Sequence, residues 1–215
     1  MATSNSTDFE PNVAEFIEEA YERCGLELRT GYDLKTAVRS VNLMLAEWAN
    51  RGLNQWTIEQ ATQTVTQGTT EYTLNANIID ILDVVVRRTV NNVQTDISIS
   101  RVGRSEYLNI PNKETQARPT QYFLDKSIVP ILKVWPAPEN STDVLVFNKI
   151  VRMDDADAAT NNIDMPFRFY PCFVAGLSYY LSLKKAPQLT PQLKALYEEE
   201  FRRAADQDED RASFK

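Results

Sequence analysis

Four aspartates in the run DDADAATNNID, Asp154, Asp155, Asp157 and Asp164, are the residues of this chain best suited by type and spacing to hold a hard cation. Alternating carboxylates supply oxygen ligands, but an EF-hand loop also needs Gly at its sixth position and Glu at its twelfth. Counted from Asp155 those positions hold Thr160 and Pro166, and counted from Asp154 they hold Ala159 and Met165. The pattern fails, and the run reads as a solvated acidic loop. Arg87, Arg88, Arg101 and Arg104 have the chemistry to contact phosphate, and set against that is a role as guards of a sheet edge. Tyr122, Phe123 and Trp135 have the chemistry of a base-stacking platform, and set against that is packing in a core or subunit interface. A net charge of −7 favours the second reading of both groups, because an acidic surface repels a polyphosphate backbone.

Most catalytic arrangements lack their parts. The chain has no histidine, which removes the commonest general base, the Ser-His and Cys-His nucleophile systems and the commonest metal ligand. Its six glycines form neither a GxxxxGK[ST] phosphate loop nor a GxGxxG turn. Cys24 and Cys172 stand far apart without a CxxC partner and read as small buried apolar groups. A carboxylate-pair hydrolase needs no histidine, yet nothing in the pattern fixes two acidic groups on one cleft. The expectation is a protein that is not an enzyme, with no catalytic, cofactor-binding or metal-binding residues assigned.

With 215 residues, 43% hydrophobic and 25% charged, the chain has the composition of a globular protein that buries roughly 70% of its unfolded surface. No apolar run reaches the length of about 20 residues that spans a bilayer, so no membrane association is expected. The N-terminal MATSNSTDFEP lacks a basic region followed by an apolar stretch, and the expected site of synthesis is the cytoplasm.

The elements that must carry these residues follow from periodicity. Val13, Phe16, Ile17, Ala20, Tyr21 and Cys24 recur at helical spacing, with Pro11 at the start, Gly25 at the stop and Glu15, Glu18, Glu19 and Glu22 facing water. A second helix opens near Asp33, carries Leu34, Val38, Val41, Leu45 and Trp48 inward, and stops at Gly52. After Trp56 the period drops towards 2 and β-branched residues become frequent. A set of strands separated by turn signals follows: two around Gly68, then residues 78–90, VQTDISI after a turn at Asn91-Asn92, QYFLD, ILKVW and residues 143–153. RSEYLNI between them reads as a short helical or irregular element. Helical character returns after Asp164, which is placed to cap a helix with Pro166 at its first position. FRFYPCFVAGLSYYLSLKK is apolar on most sides and reads as a buried central helix. A final helix from Thr190-Pro191 turns Leu193, Leu196, Tyr197, Phe201 and Ala204 inward and pairs Glu198 with Arg202 and Glu199 with Arg203 at i,i+4. The expected fold is α+β: a helical bundle from both chain ends, residues 1–57 and 162–215, with an inserted antiparallel β-sandwich or small barrel module over residues 58–161. Trp48, Gly52 and Trp56 form the candidate domain junction.

Three stretches carry a family resemblance: EWANRGLNQWTIEQ, ARPTQYFLDKSIVPILKVWPAPEN and DMPFRFYPCFVAGLSYYLSLKKAP. Their order resembles the head-to-tail connector adaptors of short-tailed bacteriophages, also called tail tubular protein A, over nearly the whole chain. The aromatic density of FRFYP departs from the acidic helix start more usual in that family. The resemblance implies a structural virion protein at the head-tail interface, made in the host cytoplasm. It further implies a twelve-subunit homo-oligomeric ring that binds the portal protein above and the tail nozzle or tail tube below, with genomic DNA passing through its channel without specific binding. By the same resemblance the C-terminal segment reaches the portal, making Asp206, Asp208, Asp210, Arg211, Phe214 and Lys215 the candidate portal contacts. The Trp and Tyr content of the β region keeps open a second class, a virion-associated carbohydrate or receptor-binding module.

Overall fold

The computed structural model describes residues 5–6, 8–52 and 55–208. Helices lie towards both ends of the chain and a curled mixed sheet lies between them, as the α+β reading expects. Internal contacts divide the chain into two units, one joining residues 1–56 with 153–215 and the other spanning Thr57–Arg152.

The helical unit is built on α1 (Val13–Arg23), α2 (Gly31–Arg51), α4 (Tyr170–Lys185) and α5 (Thr190–Asp208). The first N–H groups of a helix have no partner within it, and at α1 each is satisfied. Val13 N–H donates to Asn161 O at 2.9 Å and Ala14 N–H to Ala159 O at 2.8 Å. Glu15 N–H donates to Asn12 Oδ1 at 3.0 Å, while the Glu15 carboxylate accepts from Asn12 N–H at 3.3 Å, completing a capping box. Glu15, read from periodicity as a solvent residue, is thus half of the cap. The stretch after Met153 also closes on this unit: Met153 and Ala156 are buried in the helical core, and Ala156 N–H donates to Asn42 Oδ1 at 2.8 Å. Sequence patterning puts the second boundary nine residues later because this segment is polar in composition and its bonds to α1 and Asn42 come from its backbone.

Helix α2 starts at Thr30, whose hydroxyl accepts from Asp33 N–H, and stops at Gly52 in the left-handed conformation with φ 86°. Its buried stripe holds Ala37, Ser40, Val41, Met44, Leu45 and Trp48. Helix α4 does not begin at Pro166. A short 3₁₀ turn, Phe167–Phe169, intervenes, and Pro171 sits in the first turn of α4, where its missing N–H costs nothing. Cys172 through Ser178 are all buried, so α4 is covered on every side, and α1, α2 and α5 all pack against it. Its buried hydroxyls bond to its own backbone, Ser178 Oγ to Val174 O and Ser182 Oγ to Tyr179 O, each at 2.7 Å. Gly176 marks the tightest approach: a Cβ there would lie 2.5 Å from Met44 Sδ and 2.8 Å from Tyr197 Cε2.

The β unit holds β1 (Ile58–Thr64), β2 (Glu71–Thr73), β3 (Ile78–Val90), β4 (Val93–Arg101), the short helix α3 (Arg104–Leu108), β5 (Gln121–Asp125), β6 (Ile131–Trp135) and β7 (Val144–Val151). They form one sheet in the order β1-β7-β3-β4-β5-β6-β2. The expectation of a purely antiparallel module is corrected at one place: β4 and β5 run parallel, pairing Ser100 with Gln121 and Arg101 with Tyr122. Parallel neighbours need a long crossover, and the connection carrying α3 supplies it. The two strands around Gly68 are not a hairpin; they are the opposite edges of the sheet. A flat sheet of this width would separate its edges by about 29 Å, whereas the seven-step link from Thr64 to Glu71 reaches at most about 25 Å. The sheet must curl. Two register shifts in β3, between Ile78 and Asp80 and between Ile81 and Val84, are bulges of the kind that bend a strand. They explain why its buried residues, Ile78, Ile81, Val84 and Val86, depart from strict alternation.

Inside the curl lies a core that includes Val65, Tyr72, Ile81, Val84, Tyr122, Leu132, Leu145 and Phe147. Asp143, 3% exposed, accepts from Arg88 Nε at 2.9 Å and Nη2 at 2.7 Å, and from Asn140 Nδ2 at 3.2 Å. Burial alone would raise its carboxyl pKa, but the hydrogen bonds from Arg88 and Asn140 outweigh burial and hold it below the ordinary carboxylate range. Asp80 is held down in the same sense, burial being outweighed by bonds from Lys126 and Arg101.

Two tests follow from this packing. Gly176→Val is expected to cost about 1–3 kcal/mol through overpacking at Met44 and Tyr197, and an unchanged denaturation midpoint would show slack at that crossing. Because the folded values of Asp143 and Asp80 are depressed, their contribution is full above the unfolded value of about 3.9 and lost as pH falls through the folded values. Asp143→Asn should therefore lower stability at neutral pH and flatten the acid limb of a melting-temperature profile; a parallel, unflattened acid limb would refute the assignment.

Candidate functional site

The arginines singled out as phosphate contacts are all engaged by carboxylates. Arg87 meets Asp96 with two bonds at 2.7 and 2.8 Å across the β3–β4 pair, and Arg88 meets Asp143 and Glu139. Arg101 lies 2.9 Å from Asp80, and Arg104 lies 2.6 Å from Asp125. Arg87 also does not guard an edge, since at its level β3 pairs with both β7 and β4. These pairs leave the unit without a row of free guanidinium groups to grip nucleic acid among the described residues.

The three aromatics do not form a platform. Strand alternation sends Tyr122 into the curled core and Phe123 to the opposite face, where Tyr107 of α3 stacks on it with centroids 5.6 Å apart. The half-buried Trp135 donates from Nε1 to Asn112 O at 2.9 Å. The receptor-module reading drew on these side chains, and they are occupied in packing.

A polar cluster with a buried centre belongs to the helical unit. Trp48 is fully buried and donates from Nε1 to Tyr197 Oη at 2.9 Å. Tyr197 Oη donates to Glu47 Oε2 at 3.1 Å, and Tyr180 Oη donates to the same oxygen at 2.9 Å. Arg51 bonds Glu47 Oε1 at 3.2 Å and Glu198 Oε2 at 2.6 Å, with its guanidinium 3.5 Å above the Phe201 ring. Glu198 therefore joins α5 to α2 instead of pairing with Arg202; the Glu199–Arg203 pair forms as expected. Burial first, and Glu47 next, push both phenols above their ordinary range, so they remain protonated donors. Burial also pushes the Cys172 thiol up to about 12 and raises that of Cys24. This chemistry locks helices together; it does not supply a nucleophile.

Trp48, Gly52 and Trp56, the expected junction, are close in sequence and unlike in setting. Trp56 is half-buried in a 3₁₀ turn, stacks at 4.5 Å on Phe169 and donates to Asp164 O at 3.1 Å. Of the expected portal contacts, Asp206 is exposed on α5, and α5 ends at Asp208; Asp210, Arg211, Phe214 and Lys215 lie outside the described residues.

Two concavities open on the helical unit. One, of about 430 Å³, is lined by Tyr21, Leu26, Glu27, Arg29, Asp33 and Lys185, with its charges paired as Arg29–Glu27 and Lys185–Asp33. The other, of about 370 Å³, has an apolar lining of Phe9, Pro11, Phe16, Tyr170, Pro171 and Val174 and a rim holding Glu15, Glu19 and Arg23. Periodicity does not reveal this groove because Phe9 precedes the first helix; the aromatic FRFYP is the only trace of it in the sequence. No described helix is long and apolar enough to cross a membrane, and no three described His, Cys, Asp or Glu residues group as metal ligands.

A sequence model of the SU10 adaptor protein family matches residues 11–214. The chain belongs to the SU10 adaptor protein family. Membership makes it a phage adaptor, a structural component of the virion that interacts with other virion proteins, in a family that is not one of enzymes. It agrees with the resemblance to head-to-tail adaptors. Comparison with curated proteins finds no match.

For this adaptor the Trp48 site gives a direct test of what holds the helices. Trp48→Ala is expected to cost about 3–5 kcal/mol through the cavity it leaves. Trp48→Phe, which loses mainly the bond to Tyr197, should cost less. Equal losses in chemical denaturation would show that the hydrogen bond, and not the ring volume, carries the site.

Proposed function

We propose that this adaptor forms a ring between the portal and the tail nozzle or tube, and that the ring surrounds the channel through which the genome leaves. The observation that carries the reading is the match to the SU10 adaptor protein family across residues 11–214. The charge of the chain supports the channel role. At −7, the adaptor offers DNA repulsion, and Arg87, Arg88, Arg101 and Arg104, each held by a carboxylate, offer no counterion-releasing grip. A wall of this kind lets a polyanion slide.

In this reading the helical unit makes the ring and the portal contact, and the β unit meets neighbours and tail. Trp48, Gly52 and Trp56 form the junction between the parts. Asp206, Asp208, Asp210, Arg211, Phe214 and Lys215 supply the portal contact, and twelvefold repetition multiplies a weak contact into a strong one.

Mixing the adaptor with the portal protein of the same phage and imaging the particles is the deciding experiment. Rings stacked on the portal are expected, and no association would overturn the reading. Removing residues 209–215 should leave the thermal midpoint unchanged, since the buried residues described on α5, Leu193, Tyr197, Phe201 and Ala204, all stay in place, and should weaken docking. Undiminished docking by that truncated chain would remove the tail from the portal contact.

A further inference from the structure

The β3–β4 pair runs past the rest of the sheet. Pairing of β3 with β7 stops at Arg87 opposite Val144, and pairing of β4 with β5 involves only Ser100 and Arg101. Beyond that level Arg88–Thr95, Thr89–Gln94 and Val90–Val93 pair only with each other. A lone two-stranded ribbon is marginal in water, but this one is clamped at its base by the Arg87–Asp96 and Arg88–Asp143 pairs. Its tip is a two-residue turn with Asn91 and Asn92 at φ 50° and 62°, the geometry of a tight hairpin. Val90 and Val93, opposite one another beside that turn, are 57% and 65% exposed. The arm is therefore a fixed apolar knob that contributes nothing to its own core.

The groove lined by Phe9, Phe16, Tyr170, Pro171 and Val174 is an apolar concavity on the other unit. Phe9 is 76% exposed in it, and its volume of about 370 Å³ lies at the small end of ligand sites, room for a few side chains. Knob and groove occur once each per chain and on different units. Two unlike surfaces on one chain that fit each other make a head-to-tail contact, which closes into a ring when the rotation permits. Charge agrees with a second copy as the occupant. Residues 84–95 hold no Asp or Glu in an otherwise acidic chain, so the tip meets a rim of Glu15 and the Glu19–Arg23 pair without carboxylate repulsion.

We infer that the Val90–Val93 tip of one copy seats in the Phe9–Tyr170 groove of the next and forms the repeating contact of the ring. The inference rests on the ring reading above. Two measurements test it. Val90→Asp with Val93→Asp, at exposed positions, should keep the thermal midpoint and weaken ring formation on the portal by about thirtyfold or more, the scale of losing a central anchor. Oxidising a mixture of Val93→Cys chains and Glu19→Cys chains should link different copies, the native cysteines being buried. Normal rings from the doubly substituted chain, or rings without the cross-link, overturn this contact and leave the ring standing. Failure of the unsubstituted chain to make rings overturns both. A substituted chain that rings normally but loses the tail protein likewise overturns the contact and assigns the arm to that partner.

Discussion

Helix α4 cannot face water, and the rest of the helical unit is arranged by that fact. Its central turns, Cys172 through Ser178, are buried all round, so a single covering helix is not enough. The neighbours come from both ends of the chain: α1 and α2 from the first fifty residues, α5 from the last thirty. A core that needs both ends leaves the middle of the chain only one topological option, which is to leave and return. Gly176 sharpens the constraint, because its missing side chain sets how closely Met44 and Tyr197 approach. Around that crossing the polar atoms of Trp48, Tyr197, Glu47, Arg51 and Glu198 are joined in one network, which favours a single helix arrangement over alternatives of similar hydrophobicity.

The β unit obeys a different constraint, the shortness of its first loop. Sequence neighbours β1 and β2 sit at opposite sheet edges, so the sheet has to bend until the loop can join them. The bulges in β3 and the parallel β4–β5 step are how a chain of mostly antiparallel strands meets that demand. The pair of the half-buried Arg88 with the buried Asp143 then ties β3 to the start of β7 where their pairing ends.

Much of this was legible in the residues. The stripes of α1 and α2, the stop at Gly52, the Asn91-Asn92 turn and the short strands show in periodicity and turn chemistry, which are local properties. What periodicity missed is non-local. Nothing in TQTVTQGTTEYTL, the stretch around Gly68, says that its two strands pair with β7 and β6 and not with each other. Glu15 and Glu198 look like solvent residues because helical wheels do not show a cap or a neighbouring helix. The run from Asp154 reads as a bare acidic loop because its structural work, capping α1 through Ala159 and Asn161, is done by carbonyls that every residue type carries. The groove at Phe9 and Tyr170 joins residues more than 150 positions apart, beyond the reach of any spacing rule.

The first and last strands of the β unit are themselves partners, with Ile58 opposite Ile150. The chain thus leaves the helical unit and comes back to it at points about 5 Å apart, the separation of directly opposed residues in an antiparallel pair. The whole sheet is an insertion whose first and last strands are neighbours. Such a module can be lengthened, exchanged for one of another shape or trimmed to a short turn between residues 57 and 152 without moving the ends that the helices must hold. That geometry gives an adaptor lineage a way to change what it meets while keeping the frame that carries it.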